Sequence, residues 1–275
     1  MLHPTDGSAC HTRSSLPAYP SGSHTLGHPG NLHCMISFIV PAYNEEHLLG
    51  ATLRAINAVV QALGELGEPC ELIVVDDGST DRTADLAREH GAQVVAVAHR
   101  QIAATRNAGA RAARGDVFIF VDADTLVHEA LVRMALQALR AGAVGGGTVV
   151  RFDGTMPMYA RLMVPLVLKL LQVSRLAAGC FLFCTRTAFE AVGGFDETYF
   201  AAEELSLSHA LKRQGKFVIL REPVLTSGRK LRTHSSREML TLMGHLLRGG
   251  LGAVKQRRGL DLWYAKRRED PHNKA

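Results

Sequence analysis

The chain lacks several features that would place it in other large classes. It has no run of about 18 uncharged apolar residues, so no segment is expected to cross a bilayer. Its five cysteines, Cys10, Cys34, Cys70, Cys180 and Cys184, are odd in number and contain no C-x-x-C pair. A disulfide framework and a zinc site are therefore not expected, and free thiols in a reducing compartment are. Cys180 and Cys184 lie in an apolar stretch, where cysteine behaves as a small core hydrophobe. Residues 1–34 lack aliphatic periodicity and the continuous apolar segment of a secretory signal; they hold five of the 13 histidines among Ser, Gly and Pro. A disordered extension is expected there, with Met35 as an alternative start of translation.

The rest of the chain has the composition of a folded protein. With 47% hydrophobic and 21% charged residues, a chain of 275 can bury one large α/β core or two small ones. Charge is unevenly spread. Residues 229–275 hold 12 Lys or Arg against 4 Asp or Glu, while 1–34 are neutral, so most of the net +5 belongs to the C-terminal end. A basic helical tail is expected over 229–275. It suits anionic lipid headgroups or phosphorylated substrates, or is simply a solvated cationic end; Trp263 and Tyr264 among its cations favour a surface-bound tail. Within 156–183, Arg161, Lys169 and Arg175 fall on about a third of a helix circumference, a basic stripe opposite an aliphatic face. Such a helix either rests on a membrane surface or packs on the protein with a solvated cationic edge.

Strands are expected at 36–40, 72–75, 93–97 and 117–121, with helices between them. Leu49, Leu53, Ile56, Val60 and Leu63 form one apolar face of the first helix. The alternation implies right-handed β-α-β crossovers and a mostly parallel sheet flanked by helices. Beyond 126 the pattern is less regular. It includes helices near 127–140, from 158 and over 202–214, a glycine-loosened strand at 145–150, and strands near 181 and 217–220. No linker divides the body. Residues 35–228 are read as one domain, with 35–126 as a nucleotide-binding half and 127–228 as a mixed half.

Three acidic turns follow predicted strands: Glu45-Glu46 at a proline-bounded turn opening a helix, Asp76-Asp77, and Asp122-Ala123-Asp124. Parallel strands bring such turns to one rim, where open α/β sheets bind ligands. Paired carboxylates are hard donors suited to Mg²⁺ or Mn²⁺ on a diphosphate.

Read together, Pro41-Ala42-Tyr43-Asn44-Glu45-Glu46, Val74-Val75-Asp76-Asp77-Gly78-Ser79-Thr80-Asp81, Arg106-Asn107-Ala108-Gly109, Gly115-Asp116, Asp122-Ala123-Asp124 and Gly193-Gly194-Phe195-Asp196-Glu197 resemble the family 2 glycosyltransferases, over about residues 35–222. The resemblance implies a GT-A fold and transfer of one sugar, with inversion, from a UDP- or GDP-sugar to an acceptor hydroxyl or phosphate, using Mn²⁺ or Mg²⁺. It implies that Pro41, Ala42, Tyr43 and Glu45 wall the nucleoside pocket, and that Asp76 contacts the base. Asp77 and Asp122 stand near the ribose or the metal's water shell, and Asp124 ligates the metal. Arg106 reaches base or diphosphate, or else is a surface arginine. Arg229 and Lys230 close over the diphosphate, and His234 is either a third metal ligand or a solvated side chain. The acceptor-side base is expected at Glu204, with Glu203 second; these stand where the family usually carries Glu-Asp, a departure that moves a carboxylate by more than an ångström. No Q-x-x-R-W string marks a processive enzyme. The acceptor is a sugar, lipid or other molecule; nucleic acid is not expected as a partner. A cytoplasmic protein is expected, with peripheral contact at the inner face of an anionic membrane allowed by the tail. A polyprenyl-phosphate sugar synthase is one version of this reading. The alternatives are a non-catalytic carbohydrate-binding or scaffold protein of the same fold, and a nucleotidyltransferase, against which the absence of glycine in 41–46 counts.

Overall fold

A computed structural model describes residues 34–233 together with Arg237, Glu238, Thr241 and Lys255. The extension over 1–33, most of the basic tail, His234, Trp263 and Tyr264 lie outside the described residues.

The chain runs β1 (Ile36–Ala42), α1 (Leu49–Glu65), β2 (Cys70–Asp76), α2 (Thr83–Glu89), β3 (Gln93–Ala96), α3 (Ile102–Ala112), β4 (Val117–Val121), β5 (Thr125–Leu126), α4 (Glu129–Arg140), β6 (Ala143–Phe152), α5 (Met158–Val173), β7 (Phe181–Thr185), α6 (Arg186–Ala191), α7 (Glu203–Gln214), β8 (Lys216–Thr226) and α8 (Arg229–Thr233). Eight strands form one sheet in the order β3-β2-β1-β4-β7-β6-β8-β5. The first four neighbours are parallel, and β7 runs against both β4 and β6. β6 and β8 are parallel, and β5 closes the edge antiparallel to β8. The mostly parallel sheet expected from the sequence is present, with its mixed portion on the expected side.

Burial explains why the central strands were readable. β1 and β4 are buried at every position, as strands covered on both faces must be. One face is covered by α1 and α4 through Leu49, Leu53, Ile56, Leu131, Val132 and Ala135. The other is covered by α3, α6 and α7 through Ala103, Ala108, Phe189, Leu207 and Leu211. Helix α3 lies unusually close to the sheet: a Cβ on Gly109 would stand 2.4 Å from Ile39 Cγ2 and 2.8 Å from Val75 Cγ2.

Several local expectations are corrected. Pro41 and Ala42 belong to β1 rather than to a turn. The Asp77 amide donates to the Ala42 carbonyl at 2.9 Å, so residue 42 faces β2 and Pro41 faces the β4 side. Registered pairing with β4 has ended at Ile39–Phe120, so the missing proline N–H leaves no gap in a ladder. Helix α1 starts at Leu49, with no acid in its first turn. Glu45 and Glu46 are instead spent on neighbouring loops. The glycines of β6 are not loosening elements: a Cβ on Gly146 would meet the Val218 carbonyl at 2.3 Å and the Phe183 ring at 2.6 Å, so they permit close approach of β7 and β8. β8 continues past Leu220 because a bulge opposite Thr148–Val150 takes Pro223 out of the ladder.

Candidate active site

The carboxyl ends of β1, β2 and β4 carry the three acidic turns to one rim, and the first two are laced together. Asn44 Oδ1 accepts from the Thr80 amide at 2.8 Å, and the Asn44 amide donates to Ser79 Oγ at 3.0 Å. The Glu45 amide donates to Thr83 Oγ1 at 2.8 Å and the Glu46 amide to Asp81 at 3.1 Å, while Glu46 accepts from the Arg82 amide at 3.2 Å. Asn44 has a φ of 49°, a left-handed conformation that asparagine tolerates better than most residues. Sequence reading gave Asn44 no role; its place in a turn directly after a strand was the available signal.

Asp76 closes β2 and accepts from the Ser79 amide at 3.2 Å. Asp77 is buried and turned toward α3, accepting from the Arg100 amide at 2.8 Å, the Gln101 amide at 3.1 Å and Thr105 Oγ1 at 2.9 Å. It thus binds the donors at the start of that helix, where a carboxylate is favoured. The same loop places Arg100 over the Tyr43 ring, with its Cζ 3.4 Å from the centroid. Arg100 was not foreseen, since a loop arginine has no sequence signature.

Asp122 and Asp124 follow β4. The Asp122 amide donates to the Cys180 carbonyl at 3.1 Å, and Thr52 Oγ1 of α1 donates to the Ala123 carbonyl at 2.9 Å, pinning the turn from both sides. Arg229, at the start of α8, donates through Nη2 to both oxygens of the buried Glu45, at 3.0 and 2.9 Å, and stands 3.8 Å from Asp124 Oδ2. Burial pushes the Asp124 carboxyl up to about 6; Lys230 pulls it down, Glu45 and Asp122 push it further up, and Arg229 pulls it down. A carboxyl so destabilised as an anion gains from a divalent cation. Among the described residues no group of three or more His, Cys, Asp and Glu is gathered around one point. The two aspartates fit the open arrangement in which Mg²⁺ or Mn²⁺ completes its shell with substrate phosphates and water. His234 lies outside the described residues.

Arg106 is neither a surface arginine nor directed outward. It is 1% exposed, and it donates through Nη1 to Glu203 at 2.6 Å and through Nη2 to Asp122 at 2.7 Å and the Gly179 carbonyl at 2.9 Å. Burial opposes its charge, but Asp122, Glu203 and Glu204 outweigh burial and raise its pKa above the ordinary value. The next residue, Asn107, donates to the Phe195 carbonyl at 2.8 Å and to Glu197 at 2.9 Å, and accepts from the Phe195 amide at 2.9 Å. Helix α3 therefore joins the β4 rim to the Gly193–Glu197 loop and to the start of α7.

The two glutamates at that start diverge as neighbours on a helix must. Glu203 is buried against Arg106, while Glu204 is half-buried; a Cβ on Gly179 would lie 3.4 Å from its Cδ. Burial and then the Glu203 charge push the Glu204 carboxyl up to about 8. The base expected at Glu204 is therefore mostly protonated at neutral pH. Ala202, just before the pair, has a φ of 61°, a conformation costly to alanine and one that collects at functional sites.

The family model for glycosyl transferase family 2 matches residues 37–193. Among curated proteins, an undecaprenyl-phosphate 4-deoxy-4-formamido-L-arabinose transferase of Pseudomonas fluorescens (strain SBW25) is 42% identical over 104 residues, 35% of this chain and 29% of that protein. The same-named protein of Pseudomonas aeruginosa (strain LESB58) is 43% identical over 98 residues, 33% of this chain and 28% of the relative. The match thus spans under a third of these relatives. Two solved structures share the fold. A Pyrobaculum calidifontis mannosyltransferase in complex with GDP-Man and Mn²⁺ aligns at TM-score 0.56 and 19% identity, over 77% of this chain and 61% of that one. Glucosyl-3-phosphoglycerate synthase from Mycobacterium tuberculosis, in complex with Mn²⁺, UDP and glucosyl-3-phosphoglycerate, aligns at 0.57 and 20%, over 85% and 86%. The GT-A fold expected from the rim motifs is the fold of these neighbours, and with more than half of its length inside the family model the chain belongs to glycosyl transferase family 2.

Proposed function

We propose that the protein transfers one sugar, with inversion, from a UDP- or GDP-sugar to a phosphate-bearing acceptor, in a divalent-metal-dependent reaction. The observation that carries this reading is the rim itself: Asp76 ends β2 and Asp122 and Asp124 follow β4, the two parallel strands on either side of β1, with the cations of Arg229 and Lys230 beside Asp124. Asp124, with Asp122, would hold Mn²⁺ or Mg²⁺, which when bound supplies neutralisation of the diphosphate as it leaves. Asp76 accepts an N–H of the base, and Pro41, Ala42 and Tyr43 form the nucleoside wall, Tyr43 being braced by Arg100. Asp77 acts through the α3 start that it caps. Glu45 holds Arg229 in place, and Arg229 and Lys230 screen the diphosphate oxygens.

On the acceptor side, Glu203 neutralises Arg106 and Glu204 faces the space beside Gly179. A phosphate acceptor, with a second pKa near 6, arrives already ionised and needs no base. A protonated Glu204 donates a hydrogen bond to it without charge repulsion. The names of the curated relatives, undecaprenyl-phosphate sugar transferases, point to the same acceptor chemistry. The domain is proposed to comprise residues 35–228, working at a membrane surface as a peripheral protein. Among the described residues no helix is long and apolar enough to cross a membrane.

The test is a panel of UDP- and GDP-sugars with and without Mn²⁺, read by calorimetric binding and by nucleoside diphosphate release in the presence of a polyprenyl phosphate. One donor should bind only with metal, and Asp124→Ala should abolish that binding. Silence across the panel, or binding by Asp124→Ala as tight as the parent's, overturns the reading.

A further inference from the structure

Helix α5 is built inside out. Its inward side is narrow: Ala160 is its single buried residue, with Val164, Leu168 and Leu171 partly covered. Its outer side carries Leu162, Leu166 and Leu170 at 78%, 67% and 64% exposed, flanked by Met158, Met163 and Val173. At about 100° per residue these six fall within roughly 140° of the circumference, a continuous apolar stripe. Arg161 and Lys169 are exposed on one side of the stripe, and Arg175 is exposed just past the end of the helix. No Asp or Glu occurs between Asp153 and Glu190, so every charge in this part of the chain is positive.

The helix is held by hydrogen bonds at both ends and by its narrow inward side between them. At its start, Tyr159 Oη donates to the Leu231 carbonyl of α8 at 2.6 Å. At its end, Lys212 Nζ of α7 donates to the Ser174 carbonyl at 2.9 Å, and the Ala177 amide donates to Ser208 Oγ at 3.1 Å. The segment after it leads directly to Gly179, which touches Arg106 and lies beside Glu204. A surface laid against α5 is thus one short connection from the acceptor side of the site.

We infer that the outward face of α5 is a docking surface for an anionic lipid bilayer. Large exposed aliphatic side chains beside an acid-free cationic edge match the boundary between acyl chains and anionic headgroups, which offers both complements at once. A second copy of the chain fits less well. The exposed stripe of a 16-residue helix is about 24 Å by about 10 Å, well short of the roughly 800 Å² that each partner gives to a standard interface. Two such helices would also bring cations together with no acid on either to answer them. The net +8 of residues 229–275 adds to the attraction in the same sense. The purpose of the docking, delivery of a lipid-borne phosphate to Glu204 and Gly179, rests on the acceptor reading above; the docking itself does not.

The test is co-sedimentation of the full chain with vesicles of equal parts phosphatidylglycerol and phosphatidylcholine, and with phosphatidylcholine alone. The parent protein should sediment with the anionic vesicles and be released as salt rises. Leu162→Ser, Leu166→Ser and Leu170→Ser combined should lower partitioning by about tenfold or more, through lost apolar burial, without moving the unfolding midpoint. Arg161→Gln with Lys169→Gln should lower it by a similar factor on anionic vesicles alone. A parent protein left in the supernatant overturns the inference. So does a triple serine variant that sediments like the parent, or a dimer, seen by ultracentrifugation, that the triple variant dissociates. Calorimetry with sugar nucleotides and no vesicles separates the two readings. The triple variant should bind the donor like the parent, whereas a protein that sediments yet binds no donor overturns the proposed reaction and leaves the docking standing.

Discussion

Helices α1 and α5 have nearly the same length, 17 and 16 residues, and both are rich in aliphatic side chains, yet one is turned toward the core and the other away from it. On α1, Leu49, Leu53, Ile56, Val59 and Leu63 are buried in the core cluster they share with β1 and β2, and the loop ahead of it is fastened to residues 79–83 by hydrogen bonds made by Asn44, Glu45 and Glu46. On α5 Leu162, Leu166 and Leu170 face outward, and Ala160, Val164, Leu168 and Leu171 turn toward the protein. The proposed donor side is thus a platform cross-tied by hydrogen bonds around its carboxylates. The proposed acceptor side leaves the large aliphatic side chains of α5 exposed.

The contrast is sharpest at Arg106, which is the joint between the two regions. Arg106→Met keeps much of the volume but leaves Asp122 and Glu203 facing each other without a cation. Removing one partner from a buried charge cluster costs about 3–5 kcal/mol. That loss should appear as a large fall in the urea midpoint, with donor binding weakened at temperatures where the variant remains folded. A loss under about 1 kcal/mol would mean that the two carboxyls take up protons and the joint is not held by charge.

A paired substitution measures the difference between the helices directly. Leu53→Ala, at a fully buried position on α1, should cost about 2–5 kcal/mol. Leu166→Ala, at a position 67% exposed on α5, should stay within about 0.5 kcal/mol. Equal costs would show that α5 is covered in solution by part of the protein itself.

What could be read from the sequence follows the same division. β1, β2 and β4 announce themselves because strands buried on both faces are runs of Val, Ile and Phe, and the acids that end them are placed by the chain's alternation alone. The place of the candidate residues Asp76, Asp122 and Asp124 on one rim was legible for that reason. Arg106 was found but misplaced, because sequence shows a cation on a helix and not the carboxylates, one of them 97 residues away, that draw it inward. Arg100 depends on a left-handed backbone that no residue pattern specifies, whereas Asn44, in a turn directly after a strand, carried a signal that was not used. β5 and α6, two and six residues long, are too short for any periodicity to show. For α5 the periodicity shows an aliphatic side, but Lys169 falls beside the exposed apolar residues rather than opposite them and Arg175 lies past the helix end; whether the aliphatic side meets the core is decided by the rest of the fold.

The mildest expected effect discriminates most finely between acceptor chemistries. With its carboxyl pushed up to about 8 by burial and by Glu203, Glu204 is neutral below that pH and anionic above it. If it donates a hydrogen bond to an acceptor phosphate, kcat/KM should rise as the phosphate ionises near pH 6, hold, and then fall about tenfold per pH unit above about 8 as the donor proton is lost and two anions meet. Glu204→Gln, which keeps a neutral donor at every pH, should retain transfer at pH 7 and erase the fall. If Glu204 instead takes a proton from a hydroxyl, the sign reverses: the rate climbs toward pH 8 as the carboxylate forms, and Glu204→Gln abolishes transfer while sparing donor binding. Glu203→Gln adds a check on the cause, since removing that charge should move the Glu204 midpoint downward, yet not back to an ordinary carboxyl value, because burial is the larger of the two influences.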